Sequence, residues 1–258
     1  MNKDELLEAI EKKYEKLGVP LNTMLEGLLH STPTTYWDYI QTDALLGLQI
    51  PRTKEKDEMV FIMYHQVNEL LFKMILWEID QISLSKEPIT AEKFSKHLMR
   101  ISRYFDMLCS SFSVMGDRNS SFRNAFEHLY WQAAGKNHQT GEKSILIKLF
   151  EKKYMGDFID FMEDYNECNL SKKFKQLPKD VQNNKELIDA MRHYDYTVNV
   201  KWVLAHYDAA GKYLGGGDKD IEATGGSNWR KYMHPKYQRR IFFPYLWSEE
   251  ELKNWGTF

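Results

Sequence analysis

Two histidines stand where an imidazole could do chemistry. His65 lies in the stretch Asp57 to Ile82, DEMVFIMYHQVNELLFKMILWEIDQI, which contains no Gly and no Pro. Apolar residues recur along it at three- and four-residue intervals (Val60, Tyr64, Val67, Leu71, Ile75; Phe61, Phe72, Ile79), which predicts a long, mostly buried helix. At 3.6 residues per turn, His65 falls on the stripe of Phe61, Asn68, Phe72 and Leu76, an ionisable ring among aromatic neighbours. Spacing leaves open a core histidine satisfied by a neighbour and a histidine facing a ligand. His206 lies on a second predicted helix, from about Asn184 to Leu214, with Ile188, Met191, Tyr194, Val198, Trp202, His206, Ala209 and Tyr213 on its stripe. Ala205, Ala209, Ala210 and Gly211 surround it in sequence, and small side chains let a flat ligand approach the backbone. A neutral imidazole is a common axial ligand to haem iron, and a buried structural histidine fits the spacing equally well.

A third candidate is the loop LGGGDKDIEATGGSNW. Its glycines exclude a helix interior, and Thr224-Gly225-Gly226-Ser227 could turn backbone N–H groups towards an anion or serve as a connector. Earlier in the chain, TTYWDYIQTDALLGLQIP places Tyr36, Tyr39 and Ile40 on one face as a helix begins, and ordinary aromatic packing accounts for that. Other helices must position these groups. Lys3 to Leu17 reads as a short amphipathic surface helix ended by Gly18 and Pro20. Thr90 can cap a long helix from Ala91 through Val114, with Phe94, Leu98, Ile101, Phe105, Leu108 and Phe112 as its stripe, suited to pack antiparallel to the helix of His65. The stretch FRNAFEHLYWQAAG, which carries His128 and Trp131, and residues 143–168 also read as helical, and 169–184 as a polar connection. No run alternates like a strand, so the fold class is all-α.

Composition excludes several functions. A chain of 258 residues supports a sizeable core. A formal net charge of -2 provides no basic field for nucleic acid or anionic lipid. Cys109 and Cys168 lie far apart without metal-ligand spacing, which argues against a disulfide scaffold or a zinc site and fits a reducing cytoplasm. The charged N-terminus has no apolar signal core, and no apolar run reaches the roughly 20 residues of a membrane span. Paired Glu-x-x-His motifs of a carboxylate-bridged metal bundle are absent from the sequence. Aromatic residues, 14% of the chain, can wall a flat ligand.

The string F-I-x-x-H-Q-x-x-E-L-x-F-K-x-I-L-W-E, from Phe61 to Glu78, closely resembles the first core helix of tryptophan 2,3-dioxygenases. The W-x-x-x-H of Trp202 and His206, the T-G-G-S beginning at Thr224, the Y-x-x-Y-I-x-x-D-x-L-L beginning at Tyr36 and the terminal F-F-P-x-L-W resemble further motifs of that family, the last particularly of its bacterial members. The resemblance implies an all-α helical bundle enclosing a b-type haem. It also implies one domain over 1–258, with 1–50 an N-terminal arm that contributes to a neighbouring subunit. On the same basis, His206 is the proximal axial ligand to the haem iron, and Phe61 and His65 line the distal side where the indole sits. His65 is the candidate catalytic residue, hydrogen-bonding the indole N–H. Tyr36, Tyr39 and Ile40 are then substrate-pocket residues supplied in trans, and Thr224 contacts the ammonium and carboxylate of the amino acid.

The implied activity is cleavage of the indole C2–C3 bond of L-tryptophan by O2 to give N-formylkynurenine, the first step of tryptophan catabolism, in a cytoplasmic homotetramer. Because the sequence lacks C-x-x-C-H, the haem would be held without covalent attachment. One family segment is missing. Between the second core helix and the region of His128 the family carries F-R-x-x-L-x-P-x-S-G-F-Q-S, whose arginine pairs with the substrate carboxylate. Here VMGDRNSSFR passes almost directly to HLYWQAAGK. That departure favours the alternative of a related haem oxygenase acting on a modified indole or another aromatic amino acid; a non-catalytic sensor of haem or an aromatic ligand is a further alternative.

Overall fold

The computed structural model of the chain describes residues 1–52, 54, 56–115, 169–214, 234–238 and 240–257. His128, Trp131, the helix expected over 143–168 and Thr224 with its glycine loop lie outside the described residues. Among the described residues there is no strand, and the fold is all-α. The chain divides into two compact units, Met1–Ile50 and Pro51–Phe258.

The first unit holds α1 (Lys3–Glu15), α2 (Leu21–His30), α3 (Tyr36–Tyr39) and α4 (Thr42–Leu46). Capping boxes start α1 and α3: the Asn2 side chain accepts from Glu5 N–H while Glu5 returns a bond, and Thr35 and Asp38 do the same. Gln41, in the left-handed region at φ 55°, breaks the chain between α3 and α4. None of the four helices buries a residue.

The second unit is built on α5 (Glu58–Ser83) and α6 (Ala91–Ser111), the latter followed by a 3₁₀ turn, Phe112–Met115. Thr90 caps α6 through its side chain at Lys93 N–H, 3.2 Å away. The two helices run antiparallel, since Glu78 meets His97 while Asn68 meets Ser111. Phe94, Leu98, Ile101, Phe105 and Leu108 are buried as their spacing predicts.

For α5 the expectation of a mostly buried helix is corrected. Leu71, Ile75, Ile79 and Ile82 are in the core, whereas Val60, Met63, Val67, Leu70, Met74 and Trp77 are exposed. Apolar residues occur all round this helix, and its neighbours cover one side. The buried side also holds Glu78. Its carboxylate accepts from His97 Nδ1 at 2.5 Å, pairs with Arg100 at 3.1 Å and accepts from Tyr104 Oη at 3.3 Å. This arrangement joins α5 to α6 with a charge satisfied on several sides.

Residues 169–184 are not a plain connection. They form α7 (Asn169–Lys175) and α8 (Lys179–Gln182), with Leu170, Phe174 and Leu177 in the core. Their three- and four-residue spacing was hidden among lysines, whose stems can lie along apolar surface while the charges reach water. α9 (Lys185–Tyr196) continues through a π-helical segment, Thr197–Trp202, into α10 (Val203–Leu214). The Asn184 side chain caps its start at Leu187 N–H, 3.0 Å away. Leu187 is the buried residue of the first turn, and Ile188 is only partly covered. The chain closes with α11 (Pro235–Gln238), a 3₁₀ turn at Pro244–Leu246 and α12 (Glu249–Lys253).

Candidate functional site

α5 places His65 one turn after Phe61. The His65 Nδ1 lies 2.7 Å from the Phe61 carbonyl oxygen, and the two rings are 4.2 Å apart at their centroids. A carbonyl oxygen can only accept, so Nδ1 carries the proton and Nε2 of a neutral ring keeps its lone pair. Desolvation lowers the His65 pKa below its ordinary value, which favours that neutral form. Yet the residue is exposed to solvent.

His206, on α10, has the same character in a stronger form. It too is solvent-accessible, and desolvation alone pushes its imidazole down to about 4. It makes no hydrogen bond among the described residues, so both ring nitrogens remain uncommitted. Its walls are aromatic: Phe112 stacks on it with centroids 5.6 Å apart and planes within 7°, and Trp202 lies 5.7 Å away, tilted by 30°. Trp202 is in turn held edge-on by Phe72 at 6.0 Å and Phe105 at 5.7 Å.

The two histidines are linked through packed rings. Phe112 and Phe61 both pack against Tyr64, whose ring meets that of His65 edge-on at 5.1 Å. Phe112 therefore touches the His65 cluster and stacks on His206 as well. Its own position follows from Ser111, whose hydroxyl donates to Asn68 Oδ1 on α5 at 3.1 Å. The Tyr64 hydroxyl is buried with no hydrogen-bond partner, an unmet polar atom inside this cluster.

The structure thus brings together Phe61, His65 and His206. Tyr36, Tyr39 and Ile40 belong to the first unit, where they are 66%, 80% and 40% exposed. Sequence reasoning missed Tyr64, Phe112 as the bridge, and the π segment just ahead of His206. The signal for Tyr64 was a polar atom on the buried stripe. The π segment left no compositional signal.

A family profile described as Tryptophan 2,3-dioxygenase matches residues 26–139. The tryptophan 2,3-dioxygenase of Exiguobacterium sibiricum is 25% identical over 83% of the chain and 91% of that relative's length. The chain is similar to the tryptophan 2,3-dioxygenases over these residues. Within the tryptophan 2,3-dioxygenases, the protein of Pseudomonas aeruginosa is 31% identical over 39% of the chain and that of Bordetella pertussis 35% identical over 31%. These two matches are local: they span 35% and 28% of those relatives.

The haem implied by resemblance to tryptophan 2,3-dioxygenases can be tested against the residues present. An axial ligand must be neutral, reachable and unspent in other hydrogen bonds, and its surroundings must suit a large flat macrocycle. His206 meets the first three conditions, and Phe112, Trp202 and Ala209 meet the last. Among the described residues no three His, Cys, Asp or Glu side chains converge as a metal site. One histidine beside an aromatic wall suits a metal that brings its other ligands with it.

Proposed function

We propose that the protein is a haem-dependent dioxygenase that opens the indole ring of L-tryptophan at C2–C3, placing both atoms of O2 in N-formylkynurenine. The observation that carries this reading is His206: desolvated, neutral, uncommitted, and joined through Phe112 to a second neutral histidine, in a chain similar to the tryptophan 2,3-dioxygenases. His206 would hold a haem b through its imidazole, without covalent attachment. When bound, that group supplies the activation of O2, and the protein supplies orientation and exclusion of water.

His65 does the orienting. With Nδ1–H committed to the Phe61 carbonyl, Nε2 is left to accept a hydrogen bond from the indole N–H. This fixes the ring without requiring His65 to remove the proton. Phe61, Tyr64 and Phe112 provide apolar walls for an indole and limit access of bulk water. Thr224 is assigned to the ammonium and carboxylate end of the amino acid.

Tyr36, Tyr39 and Ile40 are assigned to the pocket of a neighbouring subunit, in a homotetramer working in the cytoplasm as the first step of tryptophan catabolism. Support for an arm that finds its cover elsewhere comes from α1–α4, which bury no residue and present Tyr36, Trp37 and Tyr39 to solvent. For the membrane, the relevant fact is that no helix among the described residues is long and apolar enough to cross one.

The test is turnover by the haem-loaded protein under ¹⁸O2 with L-tryptophan. The expected product is N-formylkynurenine carrying both labelled atoms, with one O2 consumed per product. A haem-loaded protein that gives no such product, or product with a single labelled atom, overturns the proposal.

A further inference from the structure

The helix of His206 is continuous from Lys185 to Leu214, but Thr197–Trp202 is wound as π-helix. A π bulge adds one residue to the helical path, so residues beyond it are rotated by about 100° relative to an uninterrupted α-helix. His206 lies one turn past the end of the segment. The direction of its imidazole therefore depends on whether the π winding persists.

The segment is not satisfied by itself: Thr197 Oγ1 and Asn199 Oδ1 are buried without hydrogen-bond partners. Something outside it must hold it. Asp195, two residues ahead, is fully buried and its carboxylate accepts four hydrogen bonds. Asn199 Nδ2 donates at 2.7 Å, Phe242 N–H at 2.9 Å, Phe243 N–H at 3.1 Å and Trp247 Nε1–H at 3.0 Å. One carboxylate thus ties the π segment to the C-terminal FFPYLW strap. Arg192 fastens the same strap elsewhere: it donates to the Leu246 carbonyl at 3.0 Å, pairs with Glu251 and lies 4.3 Å over the Trp247 ring.

We infer that Asp195 is a positioning residue for His206: by fastening the C-terminal strap to the π segment, it sets the direction in which the imidazole points. This rests on the reading of His206 as the axial ligand. Asp195 itself touches neither the imidazole nor anything bound there, and acts through the winding of the helix.

The test compares the full-length parent with Asp195→Asn, Asn199→Leu and Arg192→Ala. Asp195→Asn puts an N–H donor where the strap presents donors. Asn199→Leu cuts the link to the π segment and leaves the strap bonds in place, which keeps a variant available if Asp195→Asn does not fold. Arg192→Ala loosens the strap without touching the π segment. Each apoprotein is titrated with haemin, its ferrous iron–histidine stretching band is recorded, and its thermal midpoint is measured.

Losing a hydrogen bond to a charged group predicts haemin binding weakened by about ten- to a hundredfold in the first two variants. Their iron–histidine band should shift, while Arg192→Ala keeps the parent's band and affinity whatever its thermal midpoint. Affinity losses that follow the thermal midpoint across all three variants, or an unchanged band in the first two, would reduce Asp195 to a structural latch. If His206→Gly binds haemin as the parent does, the axial-ligand reading fails instead. Carbethoxylation of His206, read by peptide mass, then reports its direction without haem: a several-fold change in the first two variants supports positioning, and equal labelling overturns it.

Discussion

Replacing His65 by serine removes the imidazole whose Nε2 is left free by the bond from Nδ1–H to the Phe61 carbonyl, 2.7 Å away. The side chain lost is neutral at pH 7, because desolvation holds its pKa below the ordinary value. The interaction removed is thus a single neutral hydrogen bond, worth about 0.5–1.5 kcal/mol net, or roughly two- to thirteenfold in rate. If the indole N–H is left buried and unpaired, the cost rises to about 1–3 kcal/mol, up to roughly a hundredfold. Steady-state turnover of L-tryptophan by haem-loaded His65→Ser should fall within that span. With 1-methyl-tryptophan, which has no N–H to donate, parent and variant should differ far less. Complete loss of tryptophan turnover in the variant, together with a parent inert towards 1-methyl-tryptophan, would refute this reasoning and make His65 an obligate base.

Three further outcomes follow from the same geometry. Desolvation lowers His206 from 6.5 to about 4, so the unfolded chain takes up a proton that the folded apoprotein refuses. Stability is then whole above pH 6.5 and declines as pH falls towards 4; thermal midpoints of the apoprotein should show this slope, reduced in His206→Gln, and equal slopes would contradict it. Glu78→Ala leaves the buried His97 ring without its acceptor between α5 and α6, while Arg100 stays half exposed, and should destabilise the fold by about 1–3 kcal/mol in urea unfolding, whereas a change near zero would show that the buried cluster contributes little. Mixing inactive Tyr39→Ala with inactive His206→Ala under subunit exchange should restore some activity, and mixed oligomers that stay inactive would count against an arm acting in trans.

The parts of the fold that were legible in the sequence are those fixed by local periodicity. The stripe of α6 from Phe94 to Leu108 is buried residue for residue, and Thr90 caps the helix that follows it. On α5 the same periodicity was ambiguous. Residues such as Val67 and Trp77 give no sign of which apolar face finds a neighbour, and here they are exposed. Leu170, Phe174 and Leu177 carried a helical signal, obscured by the lysines between them.

Other features are not local at all. Asp195 gains its meaning from Phe242, Phe243 and Trp247, some fifty positions later, and no pattern around Asp195 announces them. The π winding of TVNVKW lies next to those bonds, and its composition gives no sign of it. At the site, the motif resemblance singled out His65 and His206. Their connection through Tyr64 and Phe112 became visible only when α5, α6 and α10 were placed together.

The central claim is that His206 is the protein's ligand to haem iron, and the ferric visible spectrum of His206→Gly tests it most directly. The parent, purified with haem, should show a Soret band. His206→Gly should be purified without that band and recover it when haemin and free imidazole are supplied together. A variant that retains the parent's haem content and spectrum with no imidazole added would contradict the account.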